Sequence, residues 1–128
     1  MKTTRIWANY AVADLERTTR FYTLLGFEPN GSSAELTSFK VGEHAFVIHF
    51  FLKEVLEKNT RVTIAEKHAG NEIVFTLSAE SRAAADHWAE NVLVGGGTLV
   101  SRPAAFGPGY FGFVFSDPDG HKFNVLCM

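Results

Sequence analysis

Few residues of this sequence are spaced for covalent chemistry. None of its serines lies in a Gly-x-Ser-x-Gly turn, the strained elbow that exposes a nucleophilic serine in many hydrolases. The single cysteine, Cys127, has no evident activating neighbour, which favours an inert apolar role. The triplet Gly95 to Gly97 follows a predicted helix, whereas a phosphate-binding loop precedes one. The sequence therefore indicates neither a nucleophilic triad nor a phosphate cradle.

Aromatic and hydrogen-bonding side chains on predicted strands are better candidates for a binding site. Residues 5–12 alternate with the two-residue period of a strand, which puts Trp7 and Asn9 on one face. Another predicted strand, residues 110–116, carries four aromatic rings, of which alternate members share a face. The chain has twelve phenylalanines, and such rings can fill a core or line an aromatic cavity. The residues alone leave both interpretations open.

The elements that position these residues follow from periodicity and from capping residues. Asp14 is a predicted N-cap, and Gly26 is placed to end the helix between them. Thr63 and Glu66 have the spacing of a capping box, and Ser78 is a predicted cap for the last helix. The predicted strands are residues 5–12, 27–29, 35–41, 45–51, 73–77, 98–102, 110–116 and 121–126, and the predicted helices are residues 15–25, 52–58, 64–69 and the segment between Ser78 and Gly95.

Two finer expectations concern a helix face and a turn. In the last helix, Ala84, Trp88 and Val92 recur every four residues and are expected to share one buried face. Residues 30–33, of sequence Asn-Gly-Ser-Ser, are expected to form a turn between strands because glycine, asparagine and serine favour turns.

The same order of elements occurs twice, as a strand, a helix and three strands. His44 and Phe46 follow a Gly-Glu pair, and His121 and Phe123 follow an Asp-Gly pair at the same spacing. A twofold repeat constrains the architecture. We predict an α+β fold, with two tandem βαβββ units that place their curved sheets around a shared cleft. Residues 1–128 are expected to form a single domain, with unit one at about 4–58, a connector at about 59–71 and unit two at about 72–128.

Composition and charge exclude several classes of partner. The formal net charge of the 128 residues is −2, and the basic residues are scattered rather than gathered into the stripe that nucleic-acid binding requires. No apolar run approaches the roughly 18–20 residues of a membrane-spanning helix, so no membrane partner is expected. One cysteine excludes an internal disulfide, and no apolar signal-peptide core follows the first residues. We expect a cytoplasmic protein.

Four motifs occur in order along the chain: Val12-Ala-Asp-Leu-Glu-Arg17, Phe21-Tyr22, Leu25-Gly26-Phe27 and Asp117-Pro-Asp-Gly-His121. Together with the repeat, they resemble the vicinal oxygen chelate superfamily, which includes glyoxalase I, bleomycin-resistance proteins and extradiol dioxygenases. Within it, the chain is most similar to a bacterial group called predicted lactoylglutathione lyases. Because many relatives complete their clefts by pairing two chains, the resemblance implies a homodimer.

The resemblance also implies where a metal would bind. Enzymes of the superfamily hold a divalent ion through His, Glu or Gln side chains, one from the first and one from the last strand of each unit. The matching positions here are Trp7, Val47, Glu72 and Asn124. Trp and Val cannot ligate a metal and Asn is a weak neutral donor, so no metal or other cofactor is expected. A shift of register would bring His49 and Asn9 into the set, and His49 and Glu72 would then be its strong donors.

Three function hypotheses follow. The first is a metal-free binding protein, similar to the bleomycin-resistance branch, for a small aromatic or amphipathic molecule. Its expected ligand-binding residues are Trp7, Asn9, His49, Tyr110, Phe113 and Asn124. The second is a metal-dependent lyase, isomerase or dioxygenase of the glyoxalase type, using Ni, Zn, Mn or Fe, with Glu72 as the best catalytic candidate. The third is an accessory domain without a ligand. Whether the protein is an enzyme stays open.

Overall fold

The computed structural model describes residues 1–66 and 68–128, which contain nine strands and three helices. They are β1 (Trp7–Val12), α1 (Leu15–Leu24), β2 (Glu28–Ser32), β3 (Leu36–Val41), β4 (Phe46–Leu52), α2 (Lys53–Thr60), β5 (Phe75–Ser78), α3 (Arg82–Val94), β6 (Thr98–Leu99), β7 (Ala104–Phe106), β8 (Tyr110–Ser116) and β9 (Lys122–Cys127). The chain divides into two units, Met1–Ala65 and Glu66–Met128. The predicted α+β class is confirmed.

The first unit is a four-stranded sheet in the order β1-β4-β3-β2, in which β1 and β4 run parallel and the other pairs antiparallel. One face of this sheet packs against α1. Phe39 and Phe50 from the sheet and Phe21 and Tyr22 from the helix are fully buried. The rings of Tyr22 and Phe50 are stacked with centroids 4.5 Å apart. Each buried ring of this kind contributes about 2–3 kcal/mol, so these aromatic residues form the core of the unit.

Helix α1 begins and ends as its sequence predicts. The Asp14 carboxylate accepts a hydrogen bond from the backbone N–H of Arg17 at 3.0 Å, which satisfies one of the free donors of the first turn. At the other end, Gly26 has a φ of +91°, a left-handed conformation that glycine adopts without strain. These two residues fix the length of the helix and hence its position on the sheet.

The second unit is a five-stranded sheet in which β5, β9, β8 and β6 are neighbours in that order and β7 also pairs with β8. Its β5–β9 pair is parallel, as β1–β4 is in the first unit. The core face carries Phe113, Phe115, Phe123 and Val125, none more than 2% exposed. Helix α3 contacts β6, β8 and β9. The repeated strand–helix–strands order is therefore present in both units, with the short strand β7 added in the second.

The Asp-Pro-Asp-Gly-His motif forms the turn between β8 and β9. The Asp117 carboxylate accepts hydrogen bonds from the backbone N–H groups of Asp119 and His121, both at 2.9 Å. Gly120 has a φ of +98°, and His121 is 1% exposed. The Asp117 carboxylate thus pairs with two backbone donors that would otherwise be left without a hydrogen bond in a buried turn.

The sequence-based boundaries differ from the structure in several places. Residues 30–32 lie in β2 rather than in a turn, and the strand predicted from residue 73 begins at Phe75. Strand β7 was not predicted. The predicted helix over residues 64–69 is absent from the described residues of that stretch, and residue 67 lies outside them. Capping-box spacing alone does not form a helix there, because few apolar side chains of this stretch are buried.

Helix α3 also begins later than predicted. Its N-cap is Ser81, whose hydroxyl accepts from the backbone N–H of Ala84 at 3.0 Å, rather than Ser78, which belongs to β5. Its buried side chains are Ala85, Ala89 and Val92. Of the three residues expected on the buried face, Val92 is therefore buried, whereas Ala84 and Trp88 lie beside that face and are half-buried.

None of the helices in residues 1–66 and 68–128 has the length and apolar character needed to cross a membrane.

Candidate functional site

Three of the predicted ligand-binding residues lie on one face of the first sheet. Trp7 and Asn9 of β1 are opposite Val47 and His49 of β4, and Ser38 of β3 is opposite His49. Because directly opposed residues in a sheet point to the same side, these five side chains share a face, which we call the open face. It is the face opposite the one that α1 covers.

A pocket of about 610 Å³ lies at this face. Residues 4–7 and 44–47 line it together with Asn30 and His49. Its volume falls within the roughly 300–1,000 Å³ typical of small-molecule sites. All of its lining residues belong to the first unit. The site proposed below is therefore built from a single sheet and the segments beside it.

Trp7 presents an accessible ring to the pocket. Its side chain is 49% exposed, an unusual exposure for the largest apolar side chain. Its indole meets the imidazole of His49 edge to face, with ring centroids 6.3 Å apart. On its other side, His49 makes a similar edge-to-face contact with Phe51 at 5.9 Å. The imidazole thus contacts two aromatic rings, and about half of the Trp7 surface remains accessible.

A short chain of hydrogen bonds connects His49 to Ser38 and Asn30 of the neighbouring strands. Asn30 Nδ2 donates to Ser38 Oγ at 3.0 Å, and Ser38 Oγ lies 2.8 Å from His49 Nδ1. Ser38 is 3% exposed, whereas His49 is half-buried and Asn30 is exposed. Burial lowers the pKa of His49, which favours the neutral ring. In the tautomer protonated on Nε2, Nδ1 accepts the serine hydroxyl hydrogen and Nε2–H remains to bind a ligand.

Sequence reasoning missed several members of this site. Asn30 was assigned to a turn, and Arg5, Ser38 and His44 were not among the predicted ligand-binding residues. The signal that finds them is strand register, because Ser38 is opposite His49 and Asn30 lies on the neighbouring strand. A single sequence does not fix that register.

The site residues predicted in the second unit do not cluster in the same way. Tyr110 and Asn124 lie on one face of the sheet, but Asn124 is opposite Val114, four residues along β8 from Tyr110. That separation is about 13 Å at about 3.3 Å per residue. The Tyr110 ring stacks on Phe106 at 5.8 Å, and Asn124 Nδ2 donates to Thr76 Oγ1 at 3.3 Å.

The assignment of Phe113 to the ligand-binding face is corrected by the structure. Phe113 is opposite Val125, which is fully buried, and is itself 2% exposed. It alternates with Val114, so its ring points away from the face that carries Tyr110 and Asn124. Phe113 is a core residue of the second unit.

The metal centre of the superfamily enzymes does not fit these residues. The described residues include no group of three or more His, Cys, Asp or Glu side chains placed to hold a metal ion. Trp7 and Val47 are opposite each other and supply no donor atoms. Glu72 is exposed and precedes β5, and the β5 residue opposite Asn124 is Thr76. The one strong donor of the expected set thus lies outside the paired positions.

Comparison with known proteins identifies the family. A model of the Glyoxalase/Bleomycin resistance protein/Dioxygenase superfamily matches residues 5–125. The chain belongs to that superfamily. The resemblance drawn from the four motifs and the repeat is therefore confirmed at the level of the superfamily. No curated protein matches this superfamily member in sequence.

Solved structures of bacterial proteins share the fold over nearly the whole chain. The hypothetical protein SA1046 of S. aureus is 25% identical with a TM-score of 0.88, and the match covers 100% of this chain and 96% of that one. A glyoxalase-related enzyme of Fulvimarina pelagi is 20% identical with a TM-score of 0.86, covering 98% and 89%. The fosfomycin resistance protein FosX of Mesorhizobium loti is 21% identical with a TM-score of 0.70, covering 100% and 94%.

Proposed function

We propose that this superfamily member binds a small molecule with a flat ring at the open face of its first sheet, and that it does so without a metal. The exposed indole of Trp7 forms the stacking surface, and His49 supplies a hydrogen-bond donor beside it. Asn9 lies on the same face, opposite His49, as a further polar anchor. The finer identity within the superfamily that we favour is thus a binding protein of the bleomycin-resistance kind.

One observation carries this proposal: a half-exposed Trp7 ring borders a pocket of about 610 Å³ and contacts the imidazole of His49, whose pKa is lowered by burial. The exposed half of the indole forgoes about 2 kcal/mol of burial, which it would contribute only when something covers it. A flat ring bound against it would recover that energy. A neutral imidazole would orient the ligand through a hydrogen bond, without a charge that must be desolvated on binding.

The test uses the two tryptophans of the chain, one in each unit. In Trp88→Phe, Trp7 is the sole indole, and in Trp7→Phe only Trp88 remains. The probes are three nitronaphthalenes of similar shape: 6-nitro-2-naphthoate, the neutral alcohol (6-nitronaphthalen-2-yl)methanol and the cation (6-nitronaphthalen-2-yl)methylammonium. They are chosen because a bound nitroaromatic ring quenches the fluorescence of an indole on contact. Free N-acetyltryptophanamide gives the level of quenching that collisions alone produce.

We expect at least one probe to quench Trp7 in a saturable manner, well beyond the collisional level. Trp88 should be quenched only to the collisional level, because it flanks the buried face of α3 in the other unit. If all three probes quench Trp7 no more than they quench the free indole, the flat-ring binding function is wrong. Saturable quenching of Trp88 alone would contradict the location of the site.

We also propose that the protein is a cytoplasmic homodimer. Its one cysteine, Cys127, is free and buried, as suits a reducing compartment. Several large apolar side chains are exposed in the isolated chain, among them Ile73 at 64% and Val94 at 77%. Pairing of two chains would cover such residues. Sedimentation equilibrium measures the mass in solution directly, and a single species at 14.1 kDa up to high concentration would contradict the dimer.

A further inference from the structure

The pocket at the open face differs in charge from the protein as a whole. The chain carries 14 acidic and 12 basic side chains. The pocket lining, in contrast, contains one guanidinium and two imidazoles, from Arg5, His44 and His49, and no carboxylate. With its histidines neutral, the lining therefore carries one positive charge, whereas the whole chain has a formal net charge of −2.

Arg5 is the strongest of these groups. Its side chain is exposed at the pocket, and within residues 1–66 and 68–128 no carboxylate pairs with it. A guanidinium is always charged and presents several N–H donors in a planar fork that matches a carboxylate. Its full donor capacity is thus available to a molecule in the pocket, at the end where residues 4–7 meet residues 44–47.

His49 can add a further donor to the pocket. In the Nε2-protonated tautomer, His49 directs a donor to the ligand because its Nδ1 is engaged with Ser38. Asn30 uses its amide nitrogen for Ser38, which leaves its oxygen as the main acceptor in the lining. A ligand that matches Arg5 and His49 carries oxygen acceptors.

Building on the flat-ring binding function above, we propose that the natural ligand is an organic anion: an aromatic or conjugated acid whose ring lies on Trp7 and whose acid group faces Arg5. The pocket discriminates by charge, so that an acid binds more tightly than a neutral molecule of the same shape and a cation binds least. Trp7 contributes equally to all three, whereas Arg5 attracts the acid and repels the cation.

The experiment compares the three nitronaphthalene probes in the Trp88→Phe protein, with Trp7 as the reporter. We expect 6-nitro-2-naphthoate to bind about tenfold more tightly than the alcohol, the lower end of what one charged hydrogen bond provides at an exposed site. Added as a second change, Arg5→Gln should remove that difference by weakening the acid about tenfold and leaving the alcohol within about twofold. The matched control is Arg20→Gln, which removes the same charge from the exposed surface of α1, outside the pocket.

Salt separates charge recognition from shape. An exposed ion pair is screened when the Debye length falls from about 10 Å at 0.1 M to about 3 Å at 1 M salt, so the advantage of the acid should shrink over that range. Equal affinity for the acid and the alcohol would overturn the anion proposal and leave flat-ring binding intact. The same follows if Arg5→Gln and Arg20→Gln weaken the binding of the acid to the same extent. Absence of saturable Trp7 quenching by every probe would overturn both.

Discussion

His49 and Ser38 are direct cross-strand partners, and their Nδ1 and Oγ atoms lie 2.8 Å apart. This relationship fixes the orientation of the imidazole beside Trp7, because the serine is itself buried and bonded to Asn30. A ring held in this way needs no reorganisation when a ligand arrives. The proposed site would thus be organised by the sheet before a ligand binds, which would lower the entropic cost of binding.

Ser38→Ala should destabilise the protein by about 1 kcal/mol, because it removes a buried hydroxyl that pairs with both the Asn30 amide and His49 Nδ1. Urea unfolding measures the change in the free energy of unfolding. The control is Ser32→Ala, an exposed β2 position where a loss within about 0.5 kcal/mol is expected. Equal effects of the two substitutions would show that the hydrogen-bond chain does not hold His49.

The stability of the protein should depend on pH through His49. Burial lowers the pKa of His49 in the folded state below its ordinary value of 6.5, so the unfolded state binds more protons around and below that pH. The free energy of unfolding should therefore be highest above about pH 6.5 and fall as the pH decreases through the lowered folded-state pKa. Urea unfolding between pH 5 and 8 measures this slope.

The matched pair for the pH experiment is His49→Gln and His87→Gln. His87 lies on α3 with 71% of its side chain exposed. The His49 substitution should flatten the slope, whereas the His87 substitution should leave it unchanged. NMR titration of the two imidazoles gives their pKa values directly. A folded-state pKa for His49 at or above 6.5 would show that burial does not govern this ring.

Gly112→Ala should strongly destabilise the second unit. A Cβ atom at this position would overlap the Val125 carbonyl oxygen of β9 and lie 3.3 Å from Leu126 Cα, both backbone atoms that cannot move away cheaply. Overpacking of this kind costs about 1–3 kcal/mol. Gly70→Ala is the control, since an added Cβ there meets nothing within 4 Å and the backbone angle is ordinary. Similar melting temperatures for the two variants would contradict the close approach of β8 and β9.

Binding should not depend on a divalent metal. The paired positions in the two sheets carry Trp7 with Val47 and Thr76 with Asn124, none of which is a strong ligand. Dialysis against EDTA should leave the affinity for 6-nitro-2-naphthoate unchanged within about twofold, and so should Glu72→Gln. If affinity falls after EDTA treatment and returns on addition of Ni, Zn, Mn or Fe, the metal-free proposal is wrong and the glyoxalase-type alternative gains support.

The sequence predicted the fold better than the site because the two depend on different information. Local signals such as the Asp14 cap, Gly26 and the alternation in residues 5–12 act within a few residues, and the repeat then fixes how the strands are ordered. The site depends on which residues of different strands are opposite each other. Ser38 contacts His49 only through the β3–β4 register, which a single sequence does not determine.

The errors in the second unit have the same origin. Tyr110 and Phe113 differ by three positions, so they lie on opposite faces of β8, yet both were assigned to the ligand. Glu72 was placed on the first strand of the unit, whereas the strand begins at Phe75 after an exposed segment. Apolar residues Ile73 and Val74 fit a strand equally well in composition, and only their pairing shows where the strand starts.

The most direct test of ring binding at the open face is an intermolecular NOE experiment on the isotope-labelled protein with 6-nitro-2-naphthoate. We expect NOEs from the naphthalene protons to the indole protons of Trp7 and to the imidazole Hε1 of His49, since those rings lie with centroids 6.3 Å apart beside the pocket. NOEs confined to the second unit, for example to Tyr110 or Phe106, would contradict a site at the open face.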